Sequence, residues 1–86
     1  MEGRYHIRNN DEAYELIKAA LGEMSRADDP YHYGVVQDTE TGQQIVYFDL
    51  PRVSPLQFNI RLALTSTREE MVRGIKAEIA RRLDDE

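Results

Sequence analysis

The chain has 86 residues, of which 41% are hydrophobic and 31% are charged, and it contains no cysteine. This composition predicts one small ordered domain over residues 1–86, and it excludes a disulfide framework, a thiolate metal site and a cysteine nucleophile. With 16 acidic and 11 basic residues, the formal net charge is −5, which disfavours general binding to nucleic-acid phosphates. No apolar run has the length of a membrane span or a signal peptide, so we expect a cytoplasmic protein with no membrane contact.

The first predicted element is a strand in the stretch GRYHIR, where polar and apolar residues alternate. Tyr5 and Ile7 would face inward, and His6 would face outward. We expect this strand at an edge of the sheet. Its neighbour stays open between the second strand, the fourth strand and another subunit.

A helix follows the first strand. Asn9 suits its N-cap position, and Glu12 suits the partner position of a capping box. The apolar residues that follow recur at spacings of three and four, which predicts a single buried stripe. Pro30 disfavours helix in the residue before it, so we expect Asp28, Asp29 and Pro30 to end this helix.

Two strands are predicted next, in YHYGVVQD and QQIVYFDL, and the loop TETG joins them. The apolar residues match best when the strands pair antiparallel with Asp38 opposite Gln43. Continuing this register sets Tyr31 opposite Leu50 on the core face. On the other face it sets His32 opposite Asp49.

The last strand is predicted in LQFNIRLALT, beginning at Leu56, and its register sets Phe58 against Phe48. The last helix is predicted from STREE onward, with either Ser66 and Glu69 or Thr67 and Glu70 as its capping box. The terminal DDE puts negative charge at the negative end of the helix dipole. We therefore expect a frayed acidic tail from about residue 84.

The element order strand, helix, three strands, helix predicts an α+β domain. Each helix has only one apolar stripe, so we expect both on one face of the sheet, in a two-layer sandwich of helices over a three-stranded meander and its N-terminal edge strand. The order helix, three strands, helix resembles the topology of double-stranded RNA-binding domains. Those domains carry lysines at the start of the last helix, where this chain has Glu69 and Glu70, so the sequence argues against that function.

The sheet face without helices is the candidate functional surface. The predicted register places Val36, Ile45, Tyr47, Asn59 and Arg61 on it. Aliphatic, aromatic and arginine side chains together are typical of the centre of a protein interface. We expect a non-enzymatic protein-interaction or regulatory module. We expect the protein to self-associate as a dimer. As the occupant of this face, a homodimer and a heterologous partner are equal alternatives, and a solvated face without a partner also stays open.

Two other functions are kept as alternatives. Nucleic-acid binding would stack bases on Tyr47 with help from Arg61, against the net charge of the chain. Catalysis would use His6, His32 and Asp49 as a base with an orienting carboxylate. The sequence offers no recognisable nucleophile, phosphate loop or metal-ligand spacing. We therefore predict no catalytic residue, cofactor or metal, and we interpret His32 and Asp49 as an exposed polar pair.

Overall fold

The computed structural model describes residues 6–84, which form two helices and a three-stranded antiparallel sheet. In chain order the elements are α1 (Asn10–Glu23), β1 (Tyr31–Asp38), β2 (Gln43–Asp49), β3 (Phe58–Ala63) and α2 (Arg68–Asp84). The strands lie in the order β1-β2-β3, so β2 is central. The predicted α+β class and antiparallel meander are confirmed.

Both helices begin where the capping patterns predict. The side-chain oxygen of Asn9 accepts the N–H of Glu12 at 2.9 Å, and the Glu12 carboxylate accepts the N–H of Arg8 at 2.8 Å. At α2, the N–H of Thr67 donates to Glu70 at 2.9 Å, and the N–H of Glu70 donates back to the Thr67 hydroxyl at 3.1 Å. The second of the two predicted capping boxes is therefore the one that forms.

The first helix ends earlier than predicted, at Glu23. Ser25 adopts the left-handed conformation, with φ 60°. The N–H of Arg26 then reaches the carbonyl of Leu21 at 2.9 Å, and that of Ser25 reaches Gly22 at 3.0 Å. This hydrogen-bond pattern is a Schellman motif, which usually has glycine at the left-handed position. The prediction that α1 continues to Asp28 was wrong because a serine ends it.

The buried apolar residues form one cluster that draws on both helices and on one face of the sheet, which we call the inner face. On that face the rings of Phe48 and Phe58 stack at 4.9 Å with an interplanar angle of 5°, as their predicted pairing requires. The helices contribute the central part of their apolar stripes, namely Ala13, Leu16, Ile17, Ala20 and Leu21 from α1 and Met71, Val72, Ile75 and Ile79 from α2.

Arg82 ties the loop between β2 and β3 to α2. Its guanidinium donates to the Ser54 hydroxyl at 3.2 Å and to the carbonyls of Leu56 and Gln57 at 3.0 Å each. It also lies 4.2 Å from the centroid of the Phe58 ring. The prediction that the last strand begins at Leu56 was wrong, because the backbone of Leu56 bonds to Ser54 and Arg82 instead of β2, and Leu56 is 69% exposed.

The described part of the predicted N-terminal strand, residues 6–8, is not a strand. Ile7 is fully buried; its N–H donates to the Gln44 side chain at 3.0 Å, and its carbonyl accepts from the Gln37 side chain. Gln37 and Gln44 are opposite each other on β1 and β2 and share the inner face. Two side-chain amides therefore hold the Ile7 backbone where a neighbouring strand was expected.

Both ends of the chain carry predictions that lie outside the described residues. These are the inward position of Tyr5 and the frayed tail beyond residue 84. α2 itself is helical as far as Asp84.

The core packing of Phe58 gives a test of the β3 register. Phe58→Ala removes the stack on Phe48 and the ring beneath Arg82, so we expect it to lower the free energy of unfolding by about 3–5 kcal/mol. Asn59→Ala, one residue along and exposed, should cost less than about 0.5 kcal/mol. Urea melts followed by circular dichroism measure both, and costs in the reverse order would show that the register is shifted by one residue.

Candidate functional site

The five predicted contact residues lie in two neighbouring rows across the sheet, on the side opposite the buried cluster, which we call the outer face. Tyr47 is flanked by Gly34 and Asn59, and in the next row Ile45 is flanked by Val36 and Arg61. The register predicted for these positions is the one observed. The apolar stripes of both helices join the buried cluster on the inner face.

The apolar centre of the outer face is partly exposed and partly packed on the sheet itself. Val36 is 53% exposed, whereas Ile45 and Tyr47 are half-buried. A Cβ added to Gly34 would lie 2.2 Å from the Tyr47 hydroxyl oxygen. The Tyr47 ring therefore lies across Gly34, in the space that glycine leaves on the neighbouring strand, and it covers backbone that would otherwise face water.

The charges on the outer face are few and mostly at its margins. Arg61 donates to the side-chain oxygen of Gln43 at 3.3 Å and is the one arginine or lysine that the described strands place there. The Asp38 carboxylate accepts the N–H of Glu40 at 3.1 Å and so stabilises the β1–β2 turn. With Asp49 at the other end, carboxylates outnumber permanent cations on this face, which makes it a poor surface for phosphates.

His32 lies in a β-bulge at the start of β1. Its φ is +51°, and the register shifts between Tyr31 and Gly34, so Tyr31 pairs with Asp49. The prediction that Tyr31 opposes Leu50 in the core was therefore wrong, because the bulge adds a residue, and Tyr31 is 57% exposed. The predicted polar pair does form, with Nδ1 of His32 2.9 Å from Oδ2 of Asp49 and the His32 side chain 82% exposed.

The histidines proposed for catalysis are not brought together. The carbonyl of Ile7, the residue after His6, accepts a hydrogen bond from the Gln37 side chain. His32 lies five residues before Gln37 on β1, which is about 16 Å at the rise per residue of a strand. His32 and Asp49 thus form a pair of a base with a carboxylate, and His6 lies apart from them. Residues 6–84 contain no group of three or more histidines and carboxylates that could hold a metal ion.

A groove of about 330 Å³ that the sequence did not predict lies between the α1–β1 and β2–β3 loops. Asp28 and Asp29 line it, and both are already paired. Arg26 contacts Asp28 at 2.7 Å, and the Lys18 ammonium contacts Asp29 at 3.0 Å. The hydrogen bond from Lys18 lowers the pKa of Asp29, and the same bond raises the pKa of Lys18. These carboxylates therefore stabilise the loop between α1 and β1. The only sequence signal for the groove was the DDP stretch after α1.

Comparison with known proteins found no matching family model, no matching curated protein and no matching solved structure. Neither of the described helices is long and apolar enough to cross a membrane. The function must therefore be argued from the outer face itself.

The contact between Tyr47 and Gly34 gives the second test. Gly34→Ala puts a methyl group where the Tyr47 ring lies, so the ring must move away, and we expect a loss of about 1–3 kcal/mol in stability. Gly22→Ala is the control, because nothing lies within 4 Å of its added Cβ. We expect it to be neutral or stabilising by up to about 1 kcal/mol. Equal stabilities of the two variants in urea melts would contradict the packing of Tyr47 on Gly34.

Proposed function

We propose that this protein is a small non-enzymatic protein-interaction module that binds its partner through the outer face. The observation that carries the proposal is the apolar centre of that face, where Val36 is 53% exposed beside Ile45 and Tyr47. The proposed architecture is a two-layer sandwich in which both helices cover the inner face. In its support, α1 packs against β1, α2 packs against β3, and the helices pack against each other.

The chemistry of the outer face supports a protein as the partner. An exposed aliphatic side chain beside an aromatic ring, with Asn59 and Arg61 at the side, is the composition of an interface centre. The strands hold these side chains in a fixed relation, and Gly34 fixes the Tyr47 ring on the sheet. Binding then costs less side-chain entropy than it would on a mobile loop.

Self-association and a cytoplasmic location are part of the proposal. A domain of 86 residues has a small core, so burial of further apolar surface between copies would add appreciably to its stability. Nucleic acid, membrane and cofactor are not part of it. The single arginine of the outer face and the carboxylates of Asp38 and Asp49 favour protein contacts over phosphate contacts.

Val36 is the best position for testing the outer face, because its side chain is exposed and Tyr47 has a packing role within the sheet. Val36→Glu should leave the isolated domain folded. At the centre of an interface it would bury an unpaired charge, which is costly. We expect at least a tenfold loss in partner binding, measured by capture from a lysate of the source organism.

Thr39→Glu is the matched control, since it adds the same charge in the exposed β1–β2 turn, away from the outer face. Circular dichroism checks that both variants fold. If Val36→Glu captures the same proteins as Thr39→Glu does, the outer face is not the interface.

The nucleic-acid alternative has its own test. At physiological salt we expect no measurable binding of duplex DNA, duplex RNA or single strands in a gel-shift titration, because the net charge is −5 and the outer face offers one arginine. A micromolar affinity that falls steeply with salt and is lost in Arg61→Glu would replace the protein-interaction proposal with nucleic-acid binding.

A further inference from the structure

The two edges of the sheet differ in how their backbone groups are satisfied. The β1 edge is interrupted by the His32 bulge, where φ is +51°. Farther along, the outward N–H of Val35 donates to the side-chain oxygen of Asn10 at 3.3 Å. A bulge and a covering side chain are both devices that keep an edge strand from pairing with another chain.

At the β3 edge the outward groups can be identified from the ladder. The N–H of Leu64 donates to the carbonyl of Gly42 at 2.9 Å, and the register places these two residues opposite each other. Alternation along an antiparallel strand then directs the backbone groups of Ile60 and Leu62 toward β2. The backbone groups of Asn59 and Arg61 point away from the sheet.

Both ends of the β3 edge are closed by the chain itself. The Gln57 carbonyl accepts from Arg82 at 3.0 Å, and the Ala63 carbonyl accepts the N–H of Ser66 at 3.0 Å. Between these ends, the described chain supplies no partner for the N–H and carbonyl groups of Asn59 and Arg61. The open part of the edge therefore has two N–H donors and two carbonyl acceptors, which belong to Asn59 and Arg61.

The buried cluster is also slightly more exposed along this edge than elsewhere. Ile60 and Leu62, at 7% and 6%, are the most exposed members of the buried cluster. Both lie on the inner face of β3, where a strand placed beside β3 would cover them. Backbone hydrogen bonding and apolar burial thus favour the same position for an additional strand.

We infer that a second copy of this chain pairs with β3 at this edge, antiparallel about a two-fold axis. The register sets Asn59 opposite Arg61 of the partner subunit, and the two-fold axis repeats the pair. Each N–H and carbonyl left open on one copy then meets its complement on the other. The inference rests on the self-association part of the proposed function and adds the place where the second copy binds.

The two neighbouring registers are less favourable, one because of charge and the other because of a contact within the chain. Setting Arg61 opposite its own symmetry mate would place like charges directly across the strands, which is unfavourable. Setting Asn59 opposite its own symmetry mate would require the Gln57 carbonyl, which Arg82 already occupies. The pairing of Asn59 with arginine is the register that leaves Arg82 in place.

Asn59→Pro tests the edge. It removes the outward N–H and places a proline ring on the open edge, but it breaks no hydrogen bond to β2. Asn59→Ala is the control, since it keeps the N–H. In light scattering we expect wild type and Asn59→Ala at twice the 10.0 kDa of the chain, and Asn59→Pro at the monomer mass with a native circular dichroism spectrum.

A second measurement does not depend on whether the proline variant folds. The chain has no cysteine, so a variant with Asn59→Cys and Arg61→Cys introduces the only thiols. In the inferred register these lie directly opposite across the two-fold axis, at a separation that suits a disulfide. We expect a covalent dimer after mild oxidation, and far less of it from the single variant Arg61→Cys. Absence of this covalent dimer would overturn the inference.

The outcomes separate this inference from the proposed function. A monomeric wild type, or a dimer that survives in a folded Asn59→Pro, overturns the β3 edge as the site. If Val36→Glu halves the mass and Asn59→Pro does not, the second copy binds the outer face, and the proposed function stands without the edge. If Asn59→Pro halves the mass and Val36→Glu changes no capture, the edge inference stands and the proposal for the outer face fails.

Discussion

β2 is paired on both sides, and its register determines what each face of the domain carries. Successive side chains of a strand alternate between faces, so a slip of one residue would exchange Val46 and Phe48 for Ile45 and Tyr47. The stack of Phe48 on Phe58 opposes such a slip from the inner side. On the outer side, the packing of Tyr47 on Gly34 opposes it as well. The core and the candidate interface therefore depend on the same constraint.

The parts of the fold that sequence could predict are those with a local signal. The β1–β2 register followed from matching apolar residues around a turn whose Gly42 adopts a φ of +69°, and the helix starts followed from Asn9 and Thr67. Two of the errors arise at residues that adopt an unusual backbone conformation. His32 and Ser25 adopt positive φ without being glycine, and neither has a sequence signature.

The N-terminal segment and the β2–β3 loop show why alternation alone was insufficient. An extended segment held by side-chain amides has the same alternating pattern as a strand, and only the structure shows Gln44 bonded to Ile7. Similarly, Leu56 continued the alternating pattern of β3. Its carbonyl instead accepts a hydrogen bond from Arg82, which lies 26 residues later. No local sequence pattern indicates the contacts of Arg82 with the loop.

The positions of the five candidate residues were predicted better than their surroundings, because all five lie on paired strands away from the bulge and the loop. Its exposed apolar part is concentrated at Val36, on β1, whereas the open backbone groups lie on β3. Two strand spacings, about 10 Å, separate these features. A protein bound over β1 and β2 would thus leave the β3 edge free for a second copy. Pairing at that edge would join the outer faces of both copies into one surface with two equivalent binding sites related by the two-fold axis.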